Sequence, residues 1–186
     1  MALVLNGSAN TIGGLAVGGL PDGIVDTDMI GAAAVTESKR GADGILQIVS
    51  SSGNGQQSTQ SSSFTDIGNT SITITTKRAG SKILVQFRGG CEQDGPVNGI
   101  YFQFTRNQPS ADTVVFETGQ DSHWGVSSWT GVGTTWLQYL DTHGQSAGTA
   151  ITYKVRWKLE NTSEHLYMNQ EPQNGALQMF AWEIAS

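Results

Sequence analysis

From residue 45 to the end of the chain, hydrophobic and polar residues alternate in short runs, a pattern typical of antiparallel β-strands. The clearest run covers residues 151–159, where five hydrophobic residues alternate with polar ones. The hydrophobic positions are Ile151, Tyr153, Val155, Trp157 and Leu159, and Lys154, Arg156 and Lys158 stand between them. A strand of this kind is expected to turn its apolar side to a core and its charged side to solvent.

Similar runs recur along the rest of this region. They cover residues 45–51, 71–77, 81–89, 99–107, 113–117, 134–141, 149–160, 165–169 and 176–186. Turn signals separate them at Arg78-Ala79-Gly80, Asn98-Gly99, Gly144 and Asn174-Gly175, and the polar stretch 53–63 has the composition of a loop. Because no segment keeps a helical period over three turns, the predicted fold is all-β. About eight strands favour a jelly-roll-like antiparallel β-sandwich over residues 45–186.

Residues 1–44 show no such period, and they predict an irregular N-terminal arm. Glycine and alanine dominate this arm and bury too little area to offset the entropy of ordering it. Two interpretations stay open: a flexible arm that orders only on a partner, or an attachment arm buried between identical chains or against a larger assembly. The hydrophobic residues available for attachment include Leu5, Ile12, Leu15, Val17, Leu20, Ile24, Met29 and Ile30. A short helix is also expected near residues 24–39, capped by Asp26 or Thr27.

Three segments resemble virion proteins of bacteriophages. The stretch "LNGSANTIGGLAVGGLPDGIVDTDMIGAAAVTESK" (residues 5–39) resembles a linker found in tail-fibre and other structural proteins of phages that infect cyanobacteria and marine bacteria. The segments "FTDIGNTSITITTKRAGSKILVQF" (64–87) and "ALQMFAWEIAS" (176–186) are similar to the opening and closing of the β-rich terminal domain of those proteins. Residues 90–173 match only in the rhythm of their strands.

The resemblance implies a homotrimeric virion component, assembled in the host cytoplasm, whose N-terminal arm contacts other virion proteins and whose terminal domain is exposed. In such proteins the terminal domain often recognises the host surface, with a glycan as the expected ligand. Tail fibres are usually far longer than 186 residues. The resemblance therefore leaves two alternatives: a short tail fibre or tail-tip protein, or a capsid decoration, cement or head-fibre protein with no receptor role.

Composition narrows the classes of partner. Only 14% of residues are charged, and 10 basic against 16 acidic residues give a net charge of −6. The basic residues are dispersed, so nucleic-acid binding is not expected. No run approaches the roughly 20 apolar residues of a membrane span, so membrane insertion is not expected either. The lone Cys91 excludes a disulfide within the chain and is expected to be a small buried hydrophobe.

Clusters of potentially reactive residues predict neither an enzyme nor a cofactor or metal site. Asp121, Ser122 and His123 are adjacent in sequence, and in an extended segment they cannot form a chain of nucleophile, base and orienting acid. Asp141 and His143 share one face of a predicted strand, but a metal ion requires three or four converging ligands. His143 and His165 are expected on the surface, and a histidine repeated around a trimer axis remains the open alternative.

Three tryptophans fall within residues 123–136, a span rich in glycine and serine. Trp136 lies in a predicted strand and is expected in the core. Trp124 and Trp129, with the neighbouring Asp121 and His123, form the candidate receptor site, because aromatic faces stack on sugar rings and polar side chains orient them. A loop on a rigid sandwich is a common place for such residues. The alternative is that Trp124 and Trp129 pack on the domain surface or at a subunit interface.

Overall fold

The computed structural model describes residues 4–6, 11–13, 44–94, 99–110, 112–118, 132–160, 163, 165–169 and 176–186. All regular structure in these residues is β-strand, which confirms the predicted all-β class. The strands are β1 (Val4–Asn6), β2 (Thr11–Gly13), β3 (Ile45–Gly53), β4 (Gln57–Thr59), β5 (Thr65–Thr75), β6 (Lys82–Asp94), β7 (Ile100–Arg106), β8 (Thr113–Glu117), β9 (Val132–Asp141), β10 (Ala150–Leu159), β11 (His165–Met168) and β12 (Leu177–Ile184).

Contacts divide the chain into two units, Met1–Gly41 and Ala42–Ser186. In the first unit β1 and β2 form an antiparallel pair in which Leu5 lies opposite Ile12. The predicted irregular arm therefore contains regular structure at these two strands. The remaining predicted arm residues and the predicted short helix lie outside the described residues. Those arm residues are Leu15, Val17, Leu20, Ile24, Met29 and Ile30.

The second unit contains two antiparallel sheets. The smaller sheet has the strand order β5-β10-β7-β8. The larger sheet is built around β6, which pairs with β9 along one edge. Along its other edge β6 pairs with β12 and then with β11, and these two strands pair in turn with β3 and β4. The long strand β6 therefore organises the whole of the larger sheet.

The strand order is that of a jelly roll. The eight main strands, counted along the chain, are β3, β5, β6, β7, β8, β9, β10 and β12. By this count the larger sheet has the order 1-8-3-6 and the smaller sheet the order 2-7-4-5. The chain changes sheet at every step except the hairpin between β7 and β8. Two such interlocked Greek keys confirm the predicted jelly-roll-like sandwich.

The core lies between the two sheets and follows the alternation seen in the sequence. In β10 every hydrophobic residue of the predicted inner face is at most 1% exposed. The largest fully buried side chains are Trp157, Tyr153, Phe87, Phe102 and Phe104. Cys91 is buried among them, as predicted. Strand β7 departs from simple alternation, since Gln103 on its outer side is flanked in the sheet by Arg156 and Glu117 and is also buried.

Two predicted boundaries were wrong. The polar stretch 53–63, interpreted as a loop, contains the short strand β4, which pairs with β11. Strand β5 begins at Thr65, six residues before the predicted start at residue 71. Gly80 lies in a turn, as predicted. Gly80, Gly99 and Gly144 adopt positive φ angles of 77°, 64° and 67°, a conformation that favours glycine.

Candidate functional site: the outer face of the larger sheet

The outer face of the larger sheet presents side chains in rows that run across β3, β12, β6 and β9. Strand register fixes these rows, because alternate residues of each strand point outward and paired residues lie side by side. The first two rows consist of Ile45, Ile184 and Lys82, and of Ile48, Trp182, Leu84 and Leu140. The next two consist of Ser50, Phe180, Gln86 and Gln138, and of Ser52, Gln178, Arg88 and Trp136.

The first two rows, here called the apolar rows, are hydrophobic apart from Lys82. Ile45, Ile48 and Leu140 are 48%, 52% and 46% exposed, which is high for large aliphatic side chains. The residues between them, Trp182 and Leu84, are partly exposed, so the hydrophobic surface is continuous across four strands. A continuous apolar surface of this kind marks an interaction site more often than does a single exposed leucine.

The other two rows, here called the polar-aromatic rows, combine hydroxyl, amide and aromatic groups. A depression of about 220 Å³ lies here, lined by Ser50, Ser51, Ser52, Gln178 and Phe180. It forms where the short serine side chains of β3 stand beside the long side chains of β12. The Ser51 hydroxyl donates to the Ser71 carbonyl oxygen at 3.0 Å, whereas Ser50 and Ser52 are exposed.

The chemistry of the polar-aromatic rows matches that of a sugar. Aromatic rings offer flat apolar faces to the C–H groups of a pyranose ring, and amides and hydroxyls donate and accept hydrogen bonds. Arg88 is the one charged residue in these two rows, and it adds a planar group with several donors. No carboxylate stands among them, so the rows can bind a neutral or anionic polyol and do not provide acid–base chemistry.

Trp136 belongs to these rows and is 49% exposed, so its predicted place in the core was wrong. Its neighbours Thr135 and Leu137 take the inward positions of β9, with exposures of 0% and 4%. The sequence of β9 has hydrophobic residues on both faces, and the alternation alone did not decide which face is buried.

Sequence reasoning missed Phe180, Gln178 and the serines of β3. A signal was present in the segment "QMFAWEI", where Met179 and Ala181 point inward while Phe180 and Trp182 point outward. A strand that is apolar on both faces indicates a sheet that packs against other protein surfaces on both sides.

The predicted receptor residues Asp121, His123, Trp124 and Trp129 lie outside the described residues. Their segment follows Thr118 and leads into β9 at Val132, four residues before Trp136. Their role in binding therefore stays a prediction.

A second group of polar side chains is buried at the end of the sandwich where β9 finishes. Asp141 accepts two hydrogen bonds from the Arg106 guanidinium, at 2.8 and 2.7 Å, and one from the Tyr153 hydroxyl at 2.7 Å. Burial and the hydrogen bond to Asp141 raise the pKa of Tyr153. Since β9 lies in the larger sheet and β7 and β10 in the smaller, Asp141 ties the two sheets together.

His143 lies beside this group and is 3% exposed, so its predicted surface position was wrong. Its Nδ1 accepts the backbone N–H of Gln145 at 3.0 Å, and its Nε2 lies 3.4 Å from the Ser81 hydroxyl oxygen. The Ser81 hydroxyl is 2.7 Å from a carboxylate oxygen of Glu183.

Serine, histidine and glutamate thus meet, but not as a hydrolytic triad. A triad places the imidazole between the hydroxyl and the carboxylate. Here Ser81 lies between His143 and Glu183. In a triad the carboxylate accepts a hydrogen bond from the second imidazole nitrogen, but here Nδ1 of His143 accepts one from the backbone N–H of Gln145. The group is therefore a structural hydrogen-bond network.

His165 is partly exposed and stacks on Tyr167 with ring centroids 5.4 Å apart. Within the described ranges, no three His, Cys, Asp or Glu side chains are grouped so that they could hold a metal ion. In the same part of the chain, no helix has the length and hydrophobicity to cross a membrane.

Comparison with known proteins gives distant structural likeness alone. No family model matches the chain, and no curated protein matches it. Among solved structures it is similar to T=1 particles derived from infectious bursal virus, with 11% identity, a TM-score of 0.36 and coverage of 75% of this chain and 36% of that chain. It is also similar to infectious bursal disease virus of the Gx strain, with 11% identity, a TM-score of 0.34 and coverage of 75% and 37%. The chain thus spans little more than a third of the length of these viral chains.

Proposed function

We propose that this chain is a structural protein of a bacteriophage virion, a short trimeric tail fibre or tail-tip protein whose jelly-roll domain binds a host-surface glycan. The resemblance of residues 5–39 and 64–87 to phage virion proteins supports the place in a virion. The observation that carries the binding role is the depression beside Phe180, which opens on a face that also exposes Trp136.

The polar-aromatic rows favour a glycan over other ligands. Neutral donors and acceptors stand here one or two strand spacings apart, at about 4.8 Å per spacing. They belong to Ser50, Ser52, Gln86, Gln138 and Gln178. Spaced neutral groups beside a ring suit successive sugar hydroxyls, whereas a peptide strand would require an open sheet edge and a nucleic acid a cluster of cations. An extended oligosaccharide lying across the four strands fits this arrangement.

The test is binding of the full chain to an array of purified bacterial surface polysaccharides, with the variants Phe180→Ala and Trp136→Ala. A stacked ring contributes about 1 kcal/mol beyond its buried area, so each variant is expected to bind about tenfold more weakly or worse. Thr75→Ala is the matched control, because Thr75 is exposed on the outer face of the smaller sheet. Trp124→Ala and Trp129→Ala extend the test to the predicted receptor loop. Equal binding by Phe180→Ala, Trp136→Ala and the parent chain would contradict the proposed face.

The position in the virion distinguishes the fibre from the decoration alternative. Cryo-electron microscopy of the whole particle should show copies of the chain in threes around one axis at the tail. Copies spread over the capsid lattice would contradict the proposal and support a decoration, cement or head-fibre protein.

A further inference from the structure

We propose that the apolar rows form the contact between copies of this chain, with the rows of three copies converging on the axis of the trimer. The choice of a second copy as the occupant rests on the proposed homotrimer.

The hydrophobic side chains of the apolar rows are unusually exposed. Ile45, Ile48 and Leu140 are each about half exposed, and Trp182, Leu84 and Ile184 are partly exposed beside them. Together these six side chains leave on the order of 400 Å² of apolar surface in water, which is the size of the largest apolar patch on a typical monomer, and such a patch is often functional. Lys82, the one charge in these rows, can extend its ammonium to solvent while its stem lies along the patch.

Composition separates these rows from the adjoining glycan site. Aliphatic side chains dominate here, and they provide neither the flat ring faces nor the spaced hydrogen-bonding groups that a sugar requires. Apart from the indole N–H of Trp182, which is itself buried, the outward side chains of the Leu84 row carry no polar atom. An apolar protein surface therefore fits this half of the face.

Position argues for a second copy of the same chain. Strand β3 begins at Ile45, so the chain enters the sandwich on the first apolar row. In a trimer whose N-terminal segments are gathered at one point, this end of each jelly roll is brought close to the same end of its neighbours. The three apolar rows are then the nearest surfaces of the three domains.

The area of the apolar rows fits an interface between copies that are held together by their N-terminal segments. A stable standard interface buries about 800 Å² on each partner, roughly twice what the apolar rows offer. Such a patch binds weakly between free domains, but tethered copies experience effective concentrations in the millimolar range. The apolar rows are thus sized for a contact between copies that are already joined elsewhere.

Disulfide trapping in the full chain tests the contact. Leu140→Cys places one thiol on the apolar rows, and the native Cys91 is buried and does not compete. Around a three-fold axis two of every three thiols can pair, so mild oxidation should convert up to two thirds of Leu140→Cys into covalent dimers. Thr75→Cys, on the outer face of the smaller sheet, is the matched control and should stay monomeric in a denaturing gel.

A second variant tests the contact between copies without a crosslink. Leu140→Gln keeps the size and exposure of the side chain while removing its hydrophobic contact, and it should weaken the trimer at least tenfold in sedimentation. Polysaccharide binding through Phe180 is measured separately, so the glycan site and the contact can fail independently. Equal crosslinking of Leu140→Cys and Thr75→Cys would overturn the inference, and so would a parent chain that sediments as a monomer.

Discussion

Glu183 shows how a fully buried carboxylate is held in this fold. It is 0% exposed and accepts hydrogen bonds from the backbone N–H groups of Lys77 and Arg78, the Ser81 hydroxyl and the Gln47 amide. Burial by itself would raise the pKa of Glu183, but these hydrogen bonds together outweigh it and hold the pKa below its ordinary value of 4.5. The carboxylate thereby fixes the turn between β5 and β6.

His143, next to this carboxylate network, should make the fold sensitive to mild acid. Burial, the largest cause, lowers the pKa of His143 below its ordinary value of 6.5, so the unfolded chain takes up a proton before the folded one. The contribution of neutral His143 to the free energy of unfolding is therefore fully present above pH 6.5, and it is lost as the pH falls below that value. A second fall should begin near pH 4.5, where unfolded Glu183 takes up its proton and the folded carboxylate does not.

The measurement is the melting temperature of the full chain between pH 8 and pH 4. His143→Gln should melt lower than the parent at pH 8, and its melting temperature should stay level between pH 6.5 and 5. His165→Gln is the control, because that ring is partly exposed. If His143→Gln follows the same slope as the parent over this interval, the imidazole is not the group responsible.

Asp141 of β9 joins three strands, because its carboxylate bonds to Arg106 of β7 and Tyr153 of β10. Its side chain is 5% exposed and that of Arg106 is 11% exposed, so the ion pair is largely shielded from solvent. Removing one partner of a buried pair leaves an uncompensated charge, and Asp141→Asn is expected to reduce the free energy of unfolding by about 3–5 kcal/mol. Tyr153→Phe removes one hydrogen bond to the same carboxylate and is expected to cost about 1 kcal/mol.

Urea denaturation of the two variants measures both losses. The comparison separates the charge from the packing, because Tyr153→Phe keeps the ring that fills the core. A loss below 1 kcal/mol for Asp141→Asn would mean that Arg106 reaches solvent when its partner is removed.

The strands were predictable wherever one face alone is apolar. In β10 strict alternation predicted both the element and its buried side, because opposite choices of face would bury Lys154, Arg156 and Lys158. Alternation failed to choose a face in β9, whose hydrophobic residues lie on both sides. The short strand β4 was missed because its ladder with β11 comes from a distant segment that Gln57–Thr59 does not itself encode.

The candidate site was less predictable than the fold for a related reason. Its residues come from β3, β12, β6 and β9, which are distant along the chain and become neighbours only through register. Ser50 and Gln178 have no individual feature that separates them from other polar residues. The signal in the sequence was apolar character on both faces of a strand, as in the segment "QMFAWEI" of β12 and in β9, which indicates an outer surface that binds a partner.

In the whole molecule, the outer face of the larger sheet consists of two adjoining areas with different chemistry. The apolar rows lie where the chain enters the sandwich at Ile45, and the polar-aromatic rows lie further along the same strands. In the proposed trimer the first area meets the other copies, and the second remains accessible to a ligand. Under the two proposals, one sheet face therefore connects assembly with recognition.

A chain shortened to residues 42–186 should fold by itself and stay monomeric. In the described part of Ala42–Ser186 the buried hydrophobic residues run from Leu46 to Ala185, and Ala42–Ser186 is a compact unit by itself. The shortened chain should therefore fold, with its unfolding free energy within about 0.5 kcal/mol of the parent. It should sediment as a monomer at micromolar concentration, because the apolar rows alone are too small for a stable interface. A shortened chain that stays trimeric would show that the jelly roll assembles without residues 1–41, and one that fails to fold would show that those residues complete its core.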